Sequence, residues 1–172
     1  MTVANILFKM ELFGAPINPD KLFEIRHVVE GKLKSLYRTM AYEAGQEFNP
    51  RSVDQLRNVL FDTMNFPDTG VHTNKGRIST NKESIDILFQ MEPDDEFLKA
   101  FKLYRQYDAV YKTFIKGFDK RLWEDNRLRP DFSFTKTVSG RIVCYDPNIL
   151  NIPRDKEFEE GVYARINGKL KF

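Results

Sequence analysis

Cysteine is nearly absent. Cys144 stands alone in 172 residues, so no intrachain disulfide can form and a reducing compartment is the simpler expectation. Histidine is almost as scarce: His27 and His72 have no second histidine or cysteine at ligand spacing, which argues against a zinc-type site. No run approaches the ~20 uncharged residues that a membrane helix needs. The opening MTVANILFKMELFG is interrupted by Lys9 and Glu11, leaving too short an apolar stretch for a secretory signal. No Gly-rich phosphate loop, internal repeat or low-complexity segment occurs. An excess of one charge is also missing, with 27 basic against 25 acidic residues, so net charge does not point to nucleic acid. Its distribution is more informative. Met1 to Leu98 holds 11 Lys/Arg against 15 Asp/Glu, while Lys99 to Phe172 holds 16 against 10, an asymmetry of the kind that marks a polyanion site.

What is present is mostly helical periodicity. Residues from Val3 to Phe13 suit a short helix closed by Gly14. Asn18-Pro19-Asp20 is a helix start, with Asn as cap and Pro pre-set at the first helical position. Leu22, Ile25, Val29, Leu33, Leu36 and Met40 then recur every three or four residues, predicting a helix to about Ala44 with Gly45 as its stop. Ser52 with Gln55, and Thr80 with Glu83, have capping-box spacing ahead of apolar runs and predict two shorter helices. The Gly-punctuated segment 68–77 between them reads as a loop. A second long helix is expected from about Asp95 to Arg121. At 100° per residue Lys102, Arg105, Lys112, Lys116 and Lys120 fall within about 80° of arc, with Tyr104, Tyr107, Tyr111, Phe114 and Phe118 across the other side. After Trp123 the period drops to two. Leu128 to Lys136 reads as a strand, Ser139-Gly140 as a turn, Arg141 to Cys144 as a second strand and Asp146-Pro147-Asn148 as another turn.

Thr137, Ser139, Gly140 and Arg141, followed by Asp146-Pro147-Asn148 and Asn151-Ile152-Pro153, match in order the pattern T-x-[TS]-G-R, then D-P-N-L-Q-N-I-P, of the family A, polymerase I-like, DNA polymerases. The chain resembles that family elsewhere as well. LFKMELFGAPINPDKL is similar to the segment that opens the polymerase thumb, and GQEFNPRSVDQLRNVLF to the pattern G-x-x-F-N-x-x-S-x-x-Q-L. ISTNKESIDIL and LYRQYDAVYKTF resemble two further thumb segments.

The resemblance implies an α+β fold, predominantly helical, in which long antiparallel thumb helices are followed by a small incomplete β-sheet. On that division residues 1–124 are the thumb-like part, and residues 125–172 are the start of the palm with an irregular tail. It implies a part in DNA replication, as a piece of a nucleotidyltransferase. The family's next segment, D-Y-S-Q-I-E, whose Asp binds catalytic magnesium, does not occur in these residues, nor does the H-D-E palm motif. The expectation is therefore no catalytic or metal-binding residue here, and no cofactor in this chain although the complete polymerase uses magnesium. A second polypeptide carrying the rest of the palm and the fingers is expected as partner, as in a phage-type split polymerase. The expected setting is the cytoplasm of a bacterial or phage-infected cell, without membrane attachment.

For binding primer-template DNA the resemblance puts Arg141 first. The matching arginine of relatives reaches the minor groove at the primer terminus, where every correct pair offers a purine N3 or pyrimidine O2 acceptor. The plainer alternative is a surface arginine closing a hairpin. Thr137 and Ser139 belong to the same motif. Asn148 and Asn151 would contact primer or template near the junction, or would simply form turns, and the family's Gln between Leu and Asn is Leu150 here. Arg105 matches the Tyr-Arg of the thumb pattern, whereas the family's Lys aligns with Ala109 and Lys112 lies three positions on. A cationic helix edge adds affinity through counterion release without reading sequence, or is a solvated face. Ser52 caps a helix and leaves neighbouring N–H groups for a phosphate, with Lys75, Arg77 and Lys82 close by in sequence. Asp94-Asp95 reads as a helix start rather than a metal pair, and Cys144 as a packed thiol. The alternative function is a non-catalytic helical DNA-binding or protein-interaction module, since an unpaired strand edge with Phe132 or Phe134 exposed invites a partner.

Overall fold

The computed structural model describes residues 2–152. Pro153, the last residue of the motif, and the tail 154–172 lie outside the described residues. In chain order the elements are α1 (Val3–Phe13), β1 (Ala15–Pro16), α2 (Pro19–Ala44), α3 (Val53–Arg57), α4 (Lys82–Met91), α5 (Glu96–Val110), α6 (Lys116–Asp119), β2 (Arg127–Leu128), β3 (Asp131–Ser133) and β4 (Val143–Tyr145). π-Helical turns at Asn58–Thr63 and Tyr111–Ile115 extend α3 and join α5 to α6. The fold is α+β and predominantly helical, as expected. It divides into two compact units, one made of residues up to Glu30 with those from Ala109 onward, the other of Gly31–Asp108. Among the described residues no helix is long and apolar enough to cross a membrane.

In the first unit α1 stops at Gly14, whose N–H still reaches the Met10 carbonyl at 2.9 Å while its φ of +67° turns the chain away. β1 then pairs antiparallel with β2, Ala15 opposite Leu128. Asn18 caps α2 by accepting the Lys21 N–H at 3.1 Å, a contact that contributes about 1 kcal/mol. Ile17, Phe118 and Leu128 form a buried cluster, with Leu22, Phe114, Leu122, Ile149 and Ile152 packed on it. The Tyr111 hydroxyl donates to Glu30 Oε1 at 2.6 Å, and Arg26 pairs with Asp119. β3 and β4 form a separate antiparallel pair, Phe132 opposite Cys144. Two expectations are corrected here. The strand predicted over Leu128 to Lys136 is broken, because Pro130 has no N–H to continue a ladder, so β2 and β3 pair with different partners and the described residues hold two small sheets. The following strand starts at Val143 rather than Arg141.

The second unit is held by aromatic packing. Leu33, Leu36, Met40 and Ala44 line the buried face of α2. Phe48, Phe97 and Phe101 stack in succession with centroids 5.9 and 6.2 Å apart, each such pair adding about 0.5–1.5 kcal/mol beyond burial. Ser52 caps α3 as its spacing predicts, accepting the Gln55 N–H at 3.5 Å. Gln55 does not return the bond to Ser52: its Oε1 accepts the Asn49 N–H at 2.7 Å and ties down the preceding loop. α4 begins one residue later than expected, since Asn81 Oδ1 rather than Thr80 accepts the first-turn N–H, that of Ser84, at 2.9 Å. The predicted loop at 68–77 is closed. His72 and Ile78 form an antiparallel bridge, the Thr73 N–H donates to the Arg77 carbonyl at 2.8 Å and the Gly76 N–H to the Thr73 carbonyl at 2.9 Å.

Candidate nucleic-acid interface

The segment from Thr137 to Arg141 is a tight turn closed twice. The Gly140 N–H donates to the Thr137 carbonyl at 3.1 Å, and Thr137 Oγ1 donates to the Arg141 carbonyl at 2.9 Å. Gly140 sits at φ +67°, a conformation that only glycine adopts without strain. Thr137 is thus a brace for the loop, while Ser139 and Arg141 are exposed. The Arg141 guanidinium makes no hydrogen bond or ion pair among the described residues, so its five donors are uncommitted on a fixed backbone.

Beside the turn, β4 leads into a second anchored segment. The Cys144 thiol donates to the Pro147 carbonyl at 3.5 Å, and the Asp146–Pro147 peptide is cis. Arg121 grips the Asp146 carboxylate and also donates to the Gly117 carbonyl at 3.2 Å. Sequence spacing had no means of finding this contact, because its partners lie 25 residues apart on elements whose approach only the fold decides. Asn148 Oδ1 accepts the Leu150 N–H at 3.2 Å and caps the 3-10 turn Ile149–Asn151. Its carbonyl oxygen therefore performs the turn-forming role, and Asn151 is exposed at the end of that turn. Lys136 lies 3.6 Å from the centre of the Tyr145 ring.

Burial pushes the Cys144 thiol above its ordinary pKa, opposed by backbone hydrogen bonds from Ile149 and Leu150. Since the thiolate is the reacting species, Cys144 is expected to react with an aromatic disulfide reagent about tenfold or more slowly than a free thiol at pH 7. It should react at the free-thiol rate in denaturant, and equal rates in both states would show that the side chain is not packed as described.

The remaining candidates are distributed between the units. Lys112 is exposed on the π-helical turn of the first unit. Ser52 and Arg105 belong to the second. The Arg105 guanidinium lies 5.8 Å from the Phe101 ring centre and donates to the Thr80 carbonyl at 3.5 Å, with the residue still exposed. Several neighbouring cations serve the fold first. Arg51 donates through Nε and Nη2 to the buried Asp108, at 2.9 and 2.5 Å. Arg57 holds the Ile78 carbonyl at 2.8 Å and Asp54 at 2.6 Å, and Arg77 reaches the same carboxylate at 3.3 Å. Lys75 and Lys82 are exposed beside them.

Two-metal phosphoryl transfer needs carboxylates around ions roughly 4 Å apart. Among the described residues no three of His, Cys, Asp or Glu come together in a way that could hold a metal ion. The described residues therefore do not fit a magnesium pair.

Comparison with known proteins gives a consistent picture. Residues 19–167 match the sequence model of DNA polymerase family A. The DNA polymerase I of Lactococcus lactis subsp. cremoris is 33% identical over 161 residues, covering 94% of this chain and 18% of that protein. The DNA polymerase I of Geobacillus stearothermophilus is 31% identical over 152 residues, 88% of this chain and 17% of that protein. The fold matches the POL domain of Pol1 from M. smegmatis, solved in complex with DNA primer-template and dNTP, with a TM-score of 0.80 at 24% identity, over 95% of this chain and 28% of that one. The chain thus spans less than a fifth of the length of these curated relatives. With a family match over most of its residues, it belongs to DNA polymerase family A.

Proposed function

We propose that these residues are the duplex-gripping part of a family A polymerase domain acting in DNA replication, with the thumb in residues 1–124 and the beginning of the palm after it. The ligand is primer-template DNA. One observation carries this reading: from a doubly closed turn Arg141 presents a guanidinium that has no partner among the described residues, at the motif position for which the family resemblance implies contact with the minor groove. A single donor there senses the acceptor common to all correct pairs without reading sequence. Ser139, Asn148 and Asn151 of the same motif would add contacts near the primer terminus, while Arg105, Lys112 and the helix start at Ser52 would add phosphate contacts. The family membership and the primer-template bound to the structural neighbour support this ligand class. Nucleotidyl transfer, with its magnesium, would be carried out by palm and fingers residues outside these 172.

The test is the affinity for a labelled primer-template, followed by fluorescence anisotropy at fixed salt. Arg141→Gln is expected to weaken binding about tenfold or more, the loss of a charge-assisted hydrogen bond of about 1.5–3 kcal/mol. Unchanged affinity would remove the reading. In the same assay, adding a polypeptide with the remaining palm and fingers should yield primer extension only when this chain is present.

A second reading, a protein-interaction module, is favoured by α1, where Phe8 and Leu12 are 59% and 60% exposed. It expects no affinity for primer-template DNA, so the same titration separates the two.

A further inference from the structure

Trp123 is the single tryptophan of the chain and is 60% exposed. Its backbone is held at both ends of the peptide unit. The Trp123 N–H donates to the Arg127 carbonyl at 3.1 Å, and the Trp123 carbonyl accepts the Asn126 N–H at 2.9 Å. Asn126 makes this tight turn at φ +57°, and a bridge between Leu122 and Leu128 closes it from behind. The indole is held too. Arg129 places its guanidinium 4.7 Å from the ring centre, and that guanidinium is itself fixed. It donates to both Asp125 oxygens, at 3.0 and 2.5 Å, and through Nε to the Leu12 carbonyl at 3.1 Å. A planar cation thus backs the indole while most of the side chain faces solvent.

An open cleft of about 640 Å³ lies around it, lined also by Lys120, Arg121 and Glu124. The charges there are not equivalent. Arg121 is engaged by Asp146 and Arg129 by Asp125. Lys120 is exposed, and its side chain makes no hydrogen bond or ion pair among the described residues. The cleft therefore offers one rigid aromatic surface and one uncommitted cation. A duplex keeps its base faces stacked inside and is held by a row of cations on its phosphates, which this cleft does not supply. An unpaired base presents a π-face to an aromatic side chain whatever its identity, with a phosphate next to it.

We propose that the Trp123 turn is a stacking platform for an unpaired base of single-stranded nucleic acid, with Lys120 contacting the adjoining phosphate. The Trp123 turn is separate from the Arg141 turn in sequence, although Arg121 links its cleft to Asp146, and the proposal depends on the duplex reading only in taking nucleic acid as ligand. Because both the turn and the ring are already fixed, little ordering opposes binding.

Since no other tryptophan is present, indole fluorescence reports this surface alone. Titrating the full chain with oligothymidylate of twelve residues is expected to quench that fluorescence, and a blunt duplex of the same length to do so far less. Followed by anisotropy of a labelled oligothymidylate, Trp123→Ala should weaken binding roughly fivefold to a hundredfold, and Trp123→Phe should retain most of it. Lys120→Gln should lower the salt slope by about 0.7, the share of one phosphate. Both Trp123 variants should bind blunt duplex as the parent does, which checks that they are folded. Absence of quenching while primer-template still binds would overturn the platform and leave the Arg141 reading standing. Equal quenching by blunt duplex would overturn it as well. Loss of all nucleic-acid binding in the parent chain would remove both.

Discussion

Gly14→Ala is expected to destabilise its unit by about 3 kcal/mol or more, combining backbone strain with a steric clash. Gly14 has φ +67° and ψ 171°, a region essentially reserved for glycine. A Cβ there would stand 2.6 Å from the Leu128 carbonyl oxygen and 2.9 Å from the Arg129 Cγ. The first neighbour is backbone of the strand that pairs with Ala15, so it can yield only by pulling β1 and β2 apart. Two other glycines separate the contributions. Gly45 and Gly140 have φ +65° and +67° with nothing within 4 Å of the site of a Cβ, so alanine at either should cost only the conformational part, about 1 kcal/mol. Urea midpoints of the three variants measure the contrast. If all three shift alike, the close approach at Gly14 is not what makes glycine necessary there.

Phe97→Ala is expected to cost about 3–5 kcal/mol in the other unit. The Phe97 ring is fully buried and stacks between Phe48 and Phe101, at 5.9 and 6.2 Å. Alanine removes the transfer free energy of a whole ring and leaves a cavity between two stiff aromatic neighbours that collapse poorly around it. Phe97→Leu fills most of that volume and should cost about 1.5 kcal/mol. Thermal unfolding followed by circular dichroism measures both. A loss under 1 kcal/mol for the alanine variant would mean that this stack does not organise the unit.

The parts of the fold that were legible in the sequence are those governed by local chemistry. Asn18 and Ser52 cap the helices their spacing predicts, and α1 ends at Gly14 because the chain needs a positive φ there. Leu33, Leu36 and Met40, spaced for one helix face, are all buried. The errors share a different origin. Thr80 and Asn81 are both good caps, and only the burial of Thr80 leaves Asn81 free to take the role. The segment 68–77 is the loop its composition predicts, but its closure, by Val71, His72 and Ile78 meeting partners across the turn, is not encoded in that composition. The π-helical turn at Tyr111–Ile115 changes the hydrogen-bond register of the backbone, which no side-chain spacing encodes, so an arc computed at 100° per residue does not hold across it. At the candidate site the turn at Ser139-Gly140 was readable. The bond from Thr137 to the Arg141 carbonyl was not, since residue spacing does not say which way a hydroxyl turns, nor was the grip of Arg121 on Asp146, whose partners lie 25 residues apart.

The pairing of Ala15 with Leu128, and of Glu11 with the Phe132 N–H across 121 residues, has a consequence during synthesis. At roughly 5–20 residues per second, α1 leaves the ribosome on the order of 6–24 s before the strand it packs against has been made. Residues 31–108 are contiguous and can condense in that interval, whereas the unit around them must wait and then close a long loop. For those seconds Leu7, buried in the finished fold, hangs on a nascent chain without its neighbours, which makes this stretch a place where a ribosome-associated chaperone has much to gain by holding on.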